Sequence, residues 1–195
     1  NNPDFNIKDF NLTPEETTAI YLNESELKSM FELDLSHKKN YELARDIFLI
    51  VCYTGQRISD YNGLTKESIK SINGHDYFAI KQKKTGNKVN CPITKEIRQI
   101  MDLRHNGEPP KKILEKDLNK YIKKIGKKLK FEEKVECIYK KGGKEHKEYI
   151  PKYELLHSHT ARRSFCTNMY KLKMPVYDVM MFSGHKTERE FYKYI

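Results

Sequence analysis

The spacing of the apolar residues changes in the middle of this chain, and that change limits the folds open to it. Upstream, Ala44, Ile47, Phe48 and Val51 recur at the spacing of one helix face. Between Ser68 and Pro92 the pattern becomes that of strands. Ile69 and Ile72 precede an Asn73-Gly74 turn signal, and Tyr77-Phe78-Ala79-Ile80 reads as a strand. Lys84-Thr85-Gly86-Asn87 reads as a turn and Val89 to Cys91 as a returning strand. Helical spacing resumes after Thr94. The expected class is α+β: mainly α-helical, with a small three-stranded antiparallel sheet.

Local signals place the elements. Residues 1–20 are polar and aperiodic and read as a linker; residues 21–195 read as one domain. Leu22, Asn23, Glu26 and Leu27 fit a capping box with a hydrophobic staple. A second helix is expected over 41–53, ended by Gly55. Ser59 or Asp60 is placed to cap a short helix through Leu64. Thr94 caps a helix carrying Ile97, Ile100 and Met101. A basic helix from Leu114 to Leu129 follows, with Leu114, Leu118, Tyr121, Ile122, Ile125 and Leu129 on one face. Residues 131–156 form a basic hairpin. Ser158 is the expected N-cap of a helix over 159–172, buried through Ala161, Phe165, Met169 and Leu172. Pro175 opens a short helix that Gly184 ends, and Thr187 caps a last one bearing Phe191 and Tyr194.

Charge narrows the partners. The 195 residues carry a formal net charge of +10, which points to nucleic acid first and an anionic membrane surface second. No apolar run approaches the roughly 20 residues of a membrane span, and no signal peptide opens the chain. The expected setting is cytoplasmic and nucleoid-associated. The four cysteines are widely spaced, without a CxxC pair, and read as free buried thiols. The chain opens on Asn1 and reads as a fragment. Only seven of its 37 basic residues are arginine, so an arginine beside motif-like residues is informative. Its planar fork suits bidentate phosphate contact.

Several positions suit a phosphate. His159 and Arg162 share one side of the first turn of a helix, and a helix N-terminus attracts anions. Arg57 follows the Gly55 turn, Lys84 sits near a hairpin tip, and His185 stands at the corner after Gly184. Tyr194 is the candidate nucleophile among thirteen tyrosines, and three of these candidates have an ordinary alternative: an ion-paired Arg57, a solvated lysine hairpin and a core or interface Tyr194.

TGQRISD, the KKTG hairpin, HTAR, GHK and a tyrosine nine positions after His185 occur in this order. The set resembles the catalytic domain of the tyrosine recombinases, the phage-integrase family, and mobile-element integrases in particular, over roughly residues 20–195. The resemblance implies a metal- and ATP-independent DNA strand transferase that needs no cofactor. Its catalytic residues would be Arg57, Lys84, His159, Arg162, His185 and Tyr194, with Tyr192 as fallback and Asp60 supporting Arg57. Tyr194 would attack a phosphate and leave a 3′-phosphotyrosyl link. The arginines would hold the non-bridging oxygens, His159 would take or relay the tyrosine proton, Lys84 would protonate the leaving oxygen, and His185 would hydrogen-bond the phosphate. The implied role is site-specific integration or excision of a mobile element. The implied partner is double-stranded DNA, with a homo-oligomer on it: a tetramer in the synapse, a monomer when free. Type IB topoisomerase-like relaxation and a non-catalytic DNA-binding module are the alternatives. Because the chain stops one residue after Tyr194, the last helix is expected to be mobile and Tyr194 displaced from the pocket without DNA.

Overall fold

The computed structural model describes residues 19–142 and 144–195. The linker expected over 1–20 lies, but for its last two residues, outside them. Helix α1 (Glu24–Glu32) starts as its sequence dictates: the Asn23 side chain accepts the Glu26 N–H, and Glu26 returns the bond to the Asn23 N–H. Leu22 and Leu27 on either side are buried. Helix α2 (Lys39–Thr54) is the centre of the molecule. Residues Ile47 to Val51 are all buried, so this helix is enclosed on every side, by α1, α4 (Lys95–Arg104), α5 (Glu115–Lys128) and α6 (Ser158–Lys171).

The strands form where the period changes. β1 (Ile69–Ile72), β2 (His75–Lys81) and β3 (Lys88–Pro92) make an antiparallel sheet in that order, with Phe78 opposite both Ile69 and Cys91. Phe78, Ile80, Val89 and Cys91 point into the core, and the alternate residues point out. α5 buries Leu118, Ile122 and Ile125 and exposes its six lysines. The basic hairpin is a separate two-stranded sheet, β4 (Lys134–Lys141) and β5 (Lys144–Pro151). Helices α7 (Val176–Ser183) and α8 (Glu188–Tyr192) close the chain. They share a second small core with α6, built from Phe165, Cys166, Val179 and Phe191.

Several local expectations are corrected. His157, not Ser158, caps α6: its Nδ1 accepts the Thr160 N–H at 3.2 Å, and the Thr160 hydroxyl accepts the His157 N–H. Ser158 is drawn inward instead, its hydroxyl on Glu115 and its N–H on Asn119 of α5. Helix α3 (Ile58–Tyr61) has Arg57 at its N-cap and no side-chain cap, because the Asp60 carboxylate is turned to other donors. Leu114 and Leu172 lie outside their helices and are exposed.

Candidate active site

Each candidate residue is held by its local backbone. Gly55 ends α2 at φ 68°, a conformation glycine adopts without strain. A Cβ there would stand 2.4 Å from the Phe165 ring. Only glycine therefore lets α6 pack against the turn that presents Arg57. The turn between β2 and β3 carries Lys84 and is closed by Gln82 N–H to Asn87 O and Gly86 N–H to Gln82 O, both 2.8 Å. Gly184 ends α7 at φ 70° and sets His185 at the corner.

These segments meet at one open cleft of about 490 Å³, lined by Arg57, Lys84, Arg162, His185, Lys186, Lys193 and Tyr194, with Glu190 the one acidic residue among the described residues there. A cleft of like size, about 510 Å³, lies beside α1 and α4, but there Lys28 and Lys95 are balanced by Glu24, Glu32 and Glu96. Size does not separate the two; charge does. His159 does not line the larger cationic cleft. It lines an adjoining crevice with Ser158 and Glu115, and Arg57 and Arg162 form the wall common to both.

The arginines are incompletely satisfied. Arg162 is 2% exposed. One of its Nη atoms donates to Gly55 O at 3.1 Å, and the other lies 3.4 Å from His185 Nε2. Its Nε, Arg57 Nη1 and Asp60 Oδ2 are buried without a hydrogen-bond partner among the described residues. Arg57 and Asp60 face each other at 3.7 Å, an ion pair too long to be a hydrogen bond. The other Asp60 oxygen accepts the Lys83 N–H at 2.8 Å, so this carboxylate joins the Arg57 turn to the lysine hairpin. Burial, and after it the Arg57 charge, pulls the Arg162 guanidinium below its ordinary value. It stays cationic all the same, since an arginine does not deprotonate in a protein.

His185 is neutral. Burial first, then Arg162 and Arg57, lowers its pKa from the ordinary 6.5 to about 4. Its tautomer follows from the donors. The buried Ser183 hydroxyl has one proton and gives it to Val179 O at 2.7 Å, so it accepts from His185 Nδ1–H at 2.8 Å. Nε2 is left as the acceptor for Arg162. In this structure the ring thus stands against an arginine. His159 also lies below the usual histidine value, through burial first, while Glu115 pulls the other way.

Tyr194 is docked, contrary to the expected displacement. It lies just past α8, with its ring centroid 4.6 Å from that of His185 and the Arg163 guanidinium 5.1 Å from it. Two side chains of α6 hold this end of the chain: Thr167 donates to Tyr194 O at 3.0 Å and Arg163 to Lys193 O at 2.9 Å. Tyr192 faces outward against Tyr170 and does not line the cleft. Missed from sequence were Lys186, Lys193, Ser183 and a pair of buried amides, Gln56 and Gln82. Gln82 had a signal: it continues the inward parity of Phe78 and Ile80, and a polar side chain there must find a partner.

The fold is shared with solved structures of low identity. XerH site-specific recombinase bound to difH substrate matches with TM-score 0.62 and 18% identity, over 95% of this chain and 52% of that one. The Tn1549 transposon integrase in complex with a circular intermediate DNA matches with TM-score 0.62 and 18% identity, over 94% and 63%. A lambda integrase tetramer bound to a Holliday junction matches with TM-score 0.55 and 14% identity, over 90% and 49%. The chain thus spans about half to two-thirds of their length. No curated protein matches it. The model of the phage integrase family covers residues 20–195, the same span that carries the ordered motifs and the cationic cleft, and the chain belongs to that family.

Proposed function

We propose that this chain is the catalytic domain of a tyrosine-type site-specific recombinase that cleaves and rejoins DNA for integration or excision of a mobile element. The observation that carries this reading is the docking of Tyr194 in a cleft whose two arginines keep N–H groups unpaired among the described residues. A tyrosine over cations of this kind suits attack on a phosphodiester. The Tyr194 hydroxyl oxygen attacks phosphorus, the bond to the 5′-oxygen breaks, and a 3′-phosphotyrosyl link forms. The tyrosine proton is taken or relayed by His159, which stands across the shared wall of Arg57 and Arg162 and whose lowered pKa keeps it neutral and able to accept. The 5′-oxygen leaves with a proton from Lys84. Arg57 and Arg162 neutralise the charge that builds on the non-bridging oxygens, usually the largest catalytic contribution. Ser183 and His185 hold Arg162 in place. The covalent link keeps the phosphodiester energy, so rejoining to another strand needs no nucleotide. By likeness to the DNA-bound neighbours, the substrate is duplex DNA, and the working assembly is a tetramer on it. Such a protein works in the cytoplasm, on the nucleoid.

The test starts from a pool of nicked duplexes of randomised sequence. Strands that become covalently attached are recovered and offered a second duplex. Transfer of the attached strand to that duplex at a fixed sequence is expected. Relaxation of supercoiled DNA without transfer points to a topoisomerase-like enzyme, and binding without attachment points to a non-catalytic module; either overturns the reading.

A further inference from the structure

Lys84 stands on an exposed turn, yet a general acid must be held to within a fraction of an ångström of its target. The structure contains a device for this. Gln56 and Gln82 are both essentially without solvent exposure. Gln82 Nε2 donates to Gln56 Oε1 at 2.9 Å, and Gln56 Nε2 donates to Phe182 O at 2.7 Å and Thr54 O at 3.1 Å. Gln82 Oε1 accepts the Thr85 hydroxyl at 2.8 Å, from within the lysine turn itself. The approach of the third segment is close: a Cβ on Gly184 would stand 2.2 Å from Gln82 Oε1. Gln56 precedes Arg57, Gln82 is two residues before Lys84, and Phe182 is three before His185. Two buried amides therefore tie together the three segments that supply the cleft's upstream arginine, its lysine and its histidine. An apolar pair would fill the same space without fixing direction; hydrogen-bonded amides specify one register.

We propose that Gln82, clasped to Gln56 and braced by Thr85, is the positioning residue for Lys84 and sets the protonation of the leaving oxygen. This rests on the reading of Lys84 as the general acid. Its test replaces the bridging 5′-oxygen at the cleavage point with sulfur, in the strand recovered by the selection above. Cleavage then breaks a P–S bond and releases a thiolate, which departs unprotonated because a thiol has a pKa of only about 8.5. Single-turnover cleavage is compared on the oxygen and sulfur strands for Lys84→Ala, Gln82→Met and Thr85→Val, with DNA affinity measured alongside.

On the oxygen strand Gln82→Met should lose on the order of 10²-fold in rate, with affinity kept and Thr85→Val losing less. On the sulfur strand all three variants should recover. Recovery of Lys84→Ala alone, or an oxygen-strand rate unchanged in Gln82→Met, overturns the clasp and leaves the reading of Lys84 standing. Failure of Lys84→Ala to recover removes Lys84 as the acid and the proposal with it. If Gln82→Met does not fold, Thr85→Val, on the half-buried rim of the turn, decides alone.

Discussion

Arg45 and Arg162 are equally buried, at 1% and 2% exposure, and their surroundings are opposite. Arg45 donates its Nε to Asp46 at 2.6 Å and an Nη to Leu33 O at 2.7 Å. The same carboxylate takes Arg104 at 3.3 Å and His105 at 2.8 Å. That cluster is closed: its carboxylate is shared by several donors, and it joins α2 and α4 to the end of α1. Among the described residues Arg162 has only neutral hydrogen-bond partners, a carbonyl and a histidine, and its neighbour Arg57 repels it. Holding such a charge costs free energy that a folded core alone would not require. The closed Arg45 cluster is scaffold; charge left with free donors at the cleft is available to an anion.

Substitutions can break that contrast. Arg162→Ala should lower the cleavage rate by on the order of 10²–10³-fold, with the thermal midpoint kept or raised because a like-charge contact with Arg57 is removed. A large drop in the midpoint would make Arg162 another scaffold arginine. Arg45→Ala should do the reverse. It strips Asp46 of its closest partner and should cost roughly 3–5 kcal/mol of stability in a denaturant titration, while the folded fraction cleaves normally.

A subtler effect follows from pH. Folding holds His185 near pKa 4 rather than 6.5, so the unfolded chain takes up a proton first as pH falls. Its contribution to stability is full above about pH 6.5 and is lost between there and about pH 4. In NMR the His185 ring should titrate near pH 4, and higher in Arg162→Ala because one of the depressing charges is gone. A wild-type inflection near 6.5 would contradict the neutral ring that holds Arg162. The smallest effect is expected at the rim. Lys186→Gln should weaken DNA binding and flatten the dependence of log affinity on log salt by about 0.9. Lys95→Gln, in the charge-balanced cleft, should change neither.

Much of this was legible because it is local. The Asn23–Glu26 box, the glycines that end α2 and α7, the Thr94 and Thr187 caps and the alternation of β2 and β3 need only neighbouring residues to act. Asp60 beside Arg57 was expected from the family resemblance, not from local signals, and the two do face each other at 3.7 Å. The misses are tertiary. Ser158 looks like a cap until Glu115 and Asn119 arrive from α5 and leave the cap to His157. Gln82 showed its inward parity but not its partner, which comes from 26 residues upstream. Tyr194, one residue from the end, looks free. Thr167 and Arg163 hold it, and neither is near it in sequence.

The central claim, that the docked Tyr194 attacks a phosphate held by the open arginine pair, meets its most direct test in one mapping. The protein is trapped on the nicked DNA recovered by the selection, digested, and the nucleotide-bearing peptide is identified by mass spectrometry. The expected result is a phosphotyrosyl nucleotide on Tyr194 in wild type and no adduct in Tyr194→Phe, with DNA binding retained. An adduct on Tyr192, or one that persists in Tyr194→Phe, would contradict it.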